Sequence, residues 1–316
     1  MYRPEIKVLD CTIRDGGLIN KWQFSDKLVR DTYKAVADAG VDYMELGYRA
    51  SKDQFDPKEY GKWRFCDEED VKKVLDGIEL KSKLSCMVDI GRVNPDDIPP
   101  ATESIFSLFR TACYLKDIDK AIDLTHRIQD KGYETSINIM AVSTNLEKDI
   151  EEGLTQLSES SVPNVYVVDS YGSMYSEDIT FLTKKYQEFL PGKTLGIHAH
   201  NNKQLAFGNT IQSIIDGCNM IDGSIYGIGR GAGNCPLELL VDFLKNPKYN
   251  VRPLLEVIQN HYLDLRKEIE WGYIIPYMIT GGLNEHPRTA IAVRQTEEKD
   301  DYVSFYDKMT TPEPQI

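Results

Sequence analysis

The stretch Leu195-Gly-Ile-His-Ala-His-Asn-Asn202 has the pattern of a short apolar strand that ends in two histidines, His198 and His200. Successive strand side chains point to opposite faces, so these histidines share one face, and the small Ala199 between them does not crowd them. Two imidazoles this close suit a divalent metal when carboxylates arrive from elsewhere in the chain. On this stretch alone, the alternative is a hydrogen-bonded histidine pair at a strand end.

The same β-rich pattern recurs along the chain in alternation with amphipathic helical stretches. Further strands are predicted at Ile6–Cys11, Tyr43–Leu46, Leu84–Val88, Ile105–Phe109, Thr135–Ile139, Val165–Val168 and Met220–Ile225. Ser25 and Gly40 are predicted to begin and end one of the helices. The connection 94–102 contains Pro95, Pro99 and Pro100 and is the least helix-like. About eight β/α units favour a (β/α)8 TIM barrel of the α/β class over a doubly wound open sheet.

A change in pattern at Asn246-Pro247 divides the chain. Residues 1–245 are predicted to form the barrel, and residues 246–316 a mostly helical C-terminal extension. Helices are expected around Leu254–Ile269 and Tyr273–Ile279, followed by a polar tail that ends at Pro312–Ile316.

Charge and composition narrow the class of protein and its partners. A net charge of −13 and a pI near 5.0 argue against a nucleic-acid or anionic-membrane partner. No apolar run approaches the ~20 residues of a membrane span, and the first residues lack a signal-peptide pattern. The six cysteines form no CxxC pair and are expected to be reduced, which predicts a cytoplasmic protein.

Polar residues follow the predicted strands at the edge where barrel enzymes carry their chemistry. Arg14 and Asp15 follow the first strand, and the two glycines after them predict a turn close to a ligand. Asp15 suits a His/His metal site, and Arg14 suits an oxyanion or a carboxylate. A helix-capping aspartate and a surface arginine are the alternative. Glu45, at the end of the second strand, is interpreted as a partner of Arg14, with direct metal binding or a simple ion pair at the barrel mouth as the alternatives.

The eighth strand opens into Gly227-Ile-Gly-Arg-Gly-Ala-Gly-Asn-Cys-Pro236. No dinucleotide-binding strand–turn–helix unit surrounds this string, so we interpret it as a loop over the barrel mouth. Main-chain N–H groups at Gly231 and Gly233 are expected to bind an anionic substrate, and Asn234 to approach the metal.

Three of these motifs together resemble those of the metal-dependent lyases and synthases of the 3-hydroxy-3-methylglutaryl-CoA lyase and isopropylmalate synthase superfamily. They are Asp10-x-Thr12-x-Arg14-Asp15-Gly16, His198-x-His200-Asn201 and Gly231-x-Gly233-Asn234. They come in the superfamily's order and cover about the first 245 residues. The longer string from Ile221 to Glu238 is most similar to the 4-hydroxy-2-oxovalerate aldolase branch.

The resemblance implies a divalent cation, Mn or Mg, bound by Asp15, His198 and His200, with Asn234 as a nearby or fourth contact. It also implies that Arg14 stabilises an enolate. The implied reaction is the cleavage of a 4-hydroxy-2-oxo acid to pyruvate and an aldehyde through a metal-stabilised enolate.

The sequence departs from the aldolase branch at the position of that branch's catalytic base. That branch carries a histidine three residues after the metal-binding aspartate, and here the position is Leu18. Tyr277, in a Gly-Tyr-x-x-x-Tyr segment similar to that of the aldolases, and Tyr48 are candidate proton donors or acceptors, with simple packing as the alternative for each. His286, in a polar turn, is a minor candidate.

Two other functions remain open from the sequence. One is a Claisen-type synthase that joins an acyl-CoA to a 2-oxo acid, and the other is a barrel that binds metal and oxo acid without turnover. A homo-oligomer and an aldehyde dehydrogenase partner are compatible with the resemblance.

Overall fold

The computed structural model describes residues 2–311 and contains a closed barrel of parallel strands. The strands are β1 (Lys7–Asp10), β2 (Tyr43–Tyr48), β3 (Lys83–Asp89), β4 (Phe106–Tyr114), β5 (Glu134–Met140), β6 (Asn164–Asp169), β7 (Thr194–Ala199) and β8 (Met220–Gly223). Each strand pairs with the next, and β1 closes the ring against β8, with Lys7 opposite Met220. The predicted (β/α)8 barrel is confirmed, and closure excludes the open sheet.

The helices lie between the strands and around the barrel. They are α1 (Thr12–Asn20), α2 (Asp26–Asp38), α3 (Glu68–Val74), α4 (Ile118–Gln129), α5 (Glu147–Ser158), α6 (Ser176–Phe189), α7 (Ala206–Ile215) and α8 (Leu237–Leu244). Ser25 Oγ accepts a hydrogen bond from the Leu28 N–H at the start of α2, and Gly40 follows its end with a φ of +77°. Between β3 and β4, the described chain forms only two 3₁₀ turns, because the prolines remove helix donors there.

The prediction of a glycine turn after β1 is wrong. Helix α1 begins directly after the strand, and Gly16 and Gly17 lie inside it. A Cβ on Gly17 would lie 2.1 Å from the ring of Trp22, so this glycine makes room for an aromatic side chain. The consequence for the site is that Arg14 and Asp15 project from the first turn of a helix.

The C-terminal part is helical, as predicted. Its helices are α9 (Arg252–Val257), α10 (Leu263–Glu268), α11 (Ile275–Gly282), α12 (Arg288–Val293) and α13 (Tyr302–Thr310). A π-helical turn, Ile258–Tyr262, joins α9 to α10 within the segment expected to be one helix. The polar tail 312–316 lies outside the described residues, and the division at residue 245 stays a prediction.

The extension packs on the barrel through specific contacts. Tyr262 Oη lies 2.8 Å from Thr32 Oγ1 on α2, and Asn202 Nδ2 donates to the carbonyl oxygen of Tyr277 at 3.1 Å. Most of the apolar core lies between the strands and the helices around them. Among the described helices, none combines the length and the apolar character that a membrane crossing requires.

Candidate active site

Three side chains that could hold a metal ion converge at the mouth of the barrel, and we call them the metal group. Asp15 comes from α1, and His198 and His200 come from the end of β7. One ligand atom of each lies within 4.8 Å of the others, and all three residues are buried. The strand spacing and the helical turn therefore bring together the residues that the sequence predicts as a metal site.

Unpaired polar atoms at this point fit a bound cation. His198 Nδ1 is 2.9 Å from Asp222 Oδ2, which leaves Nε2 buried without a partner among the described residues. Burial, only partly opposed by Asp15, lowers the pKa of His200, so this imidazole is neutral and can ligate. The free nitrogen of His198, the neutral imidazole of His200 and the carboxylate of Asp15 together form a donor set that suits a divalent metal.

Asp15 is ionised because of its neighbours. Burial alone would raise the pKa of Asp15, but the positive charge of Arg14 and the other cationic neighbours together outweigh it and hold this pKa below its usual range. Asn234 Nδ2 donates to Asp15 Oδ2 at 2.8 Å, and Asn234 Oδ1 has no partner in the described chain. Asn234 thus lies next to the predicted metal ligands, and its unpaired amide oxygen is available to a metal ion.

Arg14 is held in place by two carboxylates. Its Nε donates to Glu45 Oε2 at 2.7 Å, and its Nη1 pairs with Asp15. Its Nη2 makes no hydrogen bond with another described residue, and Arg14 lies in the cavity wall. Glu45 therefore orients Arg14, as the sequence suggested, and one end of the guanidinium remains for a ligand.

Two buried residues, Arg110 and Asp222, connect Arg14 to His198. The sequence analysis assigned no role to either of them. Arg110 Nη1 is 3.2 Å from Glu45 Oε2, and Arg110 Nη2 donates to Asp222 Oδ2 at 2.6 Å. The same Asp222 oxygen contacts His198. A continuous chain of charges thus crosses the barrel interior. The available signal was a charged residue inside an otherwise apolar strand, which is costly unless it is paired.

The cavity beside the metal group has a polar side and an apolar side. Its polar side includes Arg14, Arg230 and the two strand histidines, and Leu18, Met87 and Val168 contribute apolar surface. Tyr48 also lines the cavity, and burial raises the pKa of Tyr48, so its hydroxyl stays protonated at neutral pH.

Tyr277 does not reach this cavity. Its ring packs beside Gly231, within an apolar cluster that includes Ala232, Ile279 and Phe305. Burial raises the pKa of Tyr277 to about 12. The structure therefore places Tyr277 behind the loop after β8, where packing accounts for it.

The loop after β8 does not present the N–H groups of Gly231 and Gly233 to the cavity, whereas the sequence analysis expected them to bind an anionic substrate there. Gly233 donates its N–H to the carbonyl oxygen of Arg230 at 3.1 Å, and neither Gly231 nor Gly233 lines the cavity. The Gly233 carbonyl oxygen instead lies 3.3 Å from His200 Nδ1. Because the chain turns tightly here, the glycines hold His200 and Asn234 in place.

We expect Gly233→Ala to destabilise the protein more than Gly192→Ala. Both glycines have positive φ, +80° and +83°, but a Cβ at Gly233 would lie 1.9 Å from the Gly227 carbonyl oxygen. At Gly192 a Cβ meets no described atom within 4 Å. Strain alone costs about 1–2 kcal/mol, and the clash adds about 1–3 kcal/mol. Urea denaturation measures both losses, and equal values would contradict the tight turn.

Three further residues line the cavity, and the sequence analysis singled out only His286 among them. Arg230 lies in the loop after β8, Tyr171 follows β6, and His286 comes from the extension between α11 and α12. Sequence reasoning gave His286 little weight and assigned nothing to Arg230, since its neighbours in space are far away in the chain.

Comparison with known proteins agrees with this geometry. Residues 106–266 match the HMGL-like family model. The chain is 31% identical over 252 residues to 4-hydroxy-2-oxovalerate aldolase of Pelotomaculum thermopropionicum, covering 78% of this chain and 72% of that protein. It is 29% identical to oxaloacetate decarboxylase of Mycobacterium tuberculosis, covering 75% of this chain and 69% of that protein.

Solved structures show the same architecture. An N-terminal domain from Bacteroides vulgatus superposes with a TM-score of 0.80 at 27% identity, covering 94% of this chain and all of that one. The carboxyl transferase domain of Rhizobium etli pyruvate carboxylase gives a TM-score of 0.70 at 15% identity, covering 94% of this chain and 54% of that one, which shows the fold alone. From the family match and the aldolase relative together, the chain belongs to the HMGL-like family.

Proposed function

We propose that this protein is a divalent-metal-dependent lyase of the aldolase type, which cleaves a 4-hydroxy-2-oxo acid to pyruvate and an aldehyde. The observation that carries the proposal is the convergence of Asp15, His198 and His200 beside Arg14 in one cavity. The 31% identity to a 4-hydroxy-2-oxovalerate aldolase supports the same reaction class.

Asp15, His198 and His200 would hold the metal, with Asn234 beside them. We propose Mn²⁺ or Mg²⁺ because the set mixes carboxylate oxygen with imidazole nitrogen. When bound, such a metal polarises a carbonyl group as a Lewis acid. Asp222 keeps the free nitrogen of His198 directed to this point, since it occupies the other ring nitrogen.

Arg14 supplies the positive charge next to the reacting oxo acid. Its unpaired Nη2 can donate to an oxygen that becomes negative as the carbon–carbon bond breaks, while Glu45 prevents the side chain from turning away. Leu18 and Val168 limit water on the apolar side of the cavity. Tyr48, protonated at neutral pH, is the donor that we propose for the enolate carbon.

A second candidate function is the decarboxylation of a 2-oxo acid that carries a carboxylate on C3, next to the oxo group. Aldol cleavage requires a group that accepts the proton of the 4-hydroxyl, and Leu18 stands at the position of the branch's histidine. Loss of CO₂ from an ionised carboxylate gives the same pyruvate enolate without that acceptor. Leu18 therefore favours this reaction, and one relative of the chain is named oxaloacetate decarboxylase.

The first experiment measures proton–deuterium exchange at the methyl group of pyruvate by NMR in D₂O with added Mn²⁺ or Mg²⁺. We expect metal-dependent exchange that is lost in Arg14→Ala and kept in Arg252→Ala, an exposed arginine on α9. Cleavage of 4-hydroxy-2-oxo acids would then identify the aldolase.

The other outcomes separate the alternatives. Release of CO₂ from oxaloacetate above the rate with metal alone, without cleavage of 4-hydroxy-2-oxo acids, would identify the decarboxylase. Release of free CoA from acetyl-CoA with a 2-oxo acid would indicate the Claisen-type synthase. Absence of all three activities with metal bound would leave the non-catalytic barrel.

Three further predictions concern the oligomeric state, the partner and the cellular location of the protein. We propose a homo-oligomer, an aldehyde dehydrogenase partner and a cytoplasmic location. Light scattering of the purified protein and co-purification with a dehydrogenase test the first two, and cell fractionation tests the third.

A further inference from the structure

Arg230 spans two parts of the cavity mouth. Its Nη2 donates to the Ser170 carbonyl oxygen at 2.7 Å, just after β6. Its Nη1 lies 3.3 Å from Nε2 of His286, which belongs to the extension. Its backbone N–H donates to Asp15 Oδ2 at 3.2 Å. The guanidinium is therefore held at a defined place next to the predicted metal group.

The guanidinium of Arg230 forms no direct ion pair with a carboxylate of the described chain. Among residues 2–311, no carboxylate oxygen lies within 4.0 Å of its guanidinium nitrogens, and its Nε is buried without a partner. Arg14 and Arg110, the other arginines of the site, each contact two carboxylates. A partly desolvated guanidinium without a counter-ion is a binding site for an anion.

The side chains that flank Arg230 in the cavity add no negative charge to it. Burial, together with the charges of Arg230 and Arg288, lowers the pKa of His286 to about 4, so the imidazole stays neutral. The ring of Tyr171 lies 5.8 Å from that of His286, edge to face. Tyr171 and His286 thus form a polar wall without negative charge beside the guanidinium.

We propose that Arg230, flanked by His286 and Tyr171, binds a second carboxylate on the part of the substrate distant from the 2-oxo acid group. This inference rests on the proposed function, in which the metal group and Arg14 take the 2-oxo acid end. Arg230 is then not needed to bind the 2-oxo acid group and is available to bind a second anionic group. A single guanidinium matches the single charge and the planar oxygens of a carboxylate. The substrate class is therefore a dicarboxylate.

The experiment compares two ligands of equal chain length, 2-oxoglutarate and 2-oxopentanoate, which differ by the distal carboxylate. Calorimetry on the Mn²⁺-loaded protein gives their dissociation constants. We expect the wild type to bind 2-oxoglutarate roughly 30-fold more tightly, as charge-assisted hydrogen bonds allow. In Arg230→Gln this preference should fall to within about 3-fold, and Arg230→Lys should keep part of it.

Arg252→Gln, on an exposed helix, is the matched control and should keep the full preference. An equal loss of affinity for both ligands in Arg230→Gln would mean that Arg230 binds the 2-oxo acid group itself, and the proposal would be overturned. No preference in the wild type would overturn it as well. Because binding is measured without turnover, a retained preference in a protein that fails the exchange experiment would contradict the proposed function alone.

Discussion

Replacing Asp15 with asparagine is expected to lower kcat/KM by roughly 1,000-fold or more, because a metal site loses its single negative charge. Asn234 would then face an amide in place of the carboxylate oxygen that it now contacts at 2.8 Å. Arg14 would also lose one of its two carboxylate partners. The affinity for Mn²⁺ should fall together with activity.

Electron paramagnetic resonance of free Mn²⁺ during a titration measures that affinity independently of turnover. Asp76→Asn is the control, since Asp76 is exposed after α3 and does not line the cavity. If Asp15→Asn kept wild-type Mn²⁺ affinity and full activity, the assignment of Asp15, His198 and His200 as the metal group would be abandoned.

Arg110→Met is expected to lower the free energy of unfolding by about 3–5 kcal/mol, the usual cost of removing one partner from a buried ion pair. Arg110 is fully buried and pairs with both Glu45 and Asp222. Its guanidinium also lies 4.3 Å from the ring centre of Tyr166. Without it, two carboxylates remain in the barrel interior with one cation fewer.

Urea denaturation measures this loss, and Arg127→Met is the matched control. Arg127 pairs with Asp96 at 2.9 Å on the surface, where the two side chains are 46% and 77% exposed. A surface pair of this kind contributes about 0–1 kcal/mol. A loss in Arg110→Met no larger than that of the control would show that the interior charges do not depend on Arg110.

The fold was predictable because its signal is local. Each β/α unit carries its own alternation of apolar runs and capped helices, and the cap at Ser25 and the stop at Gly40 lie where the pattern indicated. The proline-rich connection between β3 and β4 also follows from backbone chemistry alone. The error at α1 has the same origin, since two glycines favour a turn locally, and the Trp22 ring that leaves no room for a side chain at Gly17 is visible only in the structure.

The candidate site was predictable only in part. His198 and His200 lie two residues apart on a strand, so their convergence follows from strand geometry. The links from Arg14 to Arg110 and from Arg230 to His286 join residues 56 or more positions apart. No local pattern specifies such pairs. The prediction for Tyr277 was wrong for a related reason. Its position depends on the path of the loop after β8, which the local sequence does not specify.

The closure of the barrel has a consequence for synthesis of the chain. Strand β1 leaves the ribosome more than 200 residues before β8, the strand that completes its pairing. At roughly 5–20 residues per second, this interval lasts on the order of 10–40 s. During that time the nascent chain presents an unpaired strand edge, which is prone to aggregation. We therefore expect the growing polypeptide to depend on chaperones until translation has passed β8.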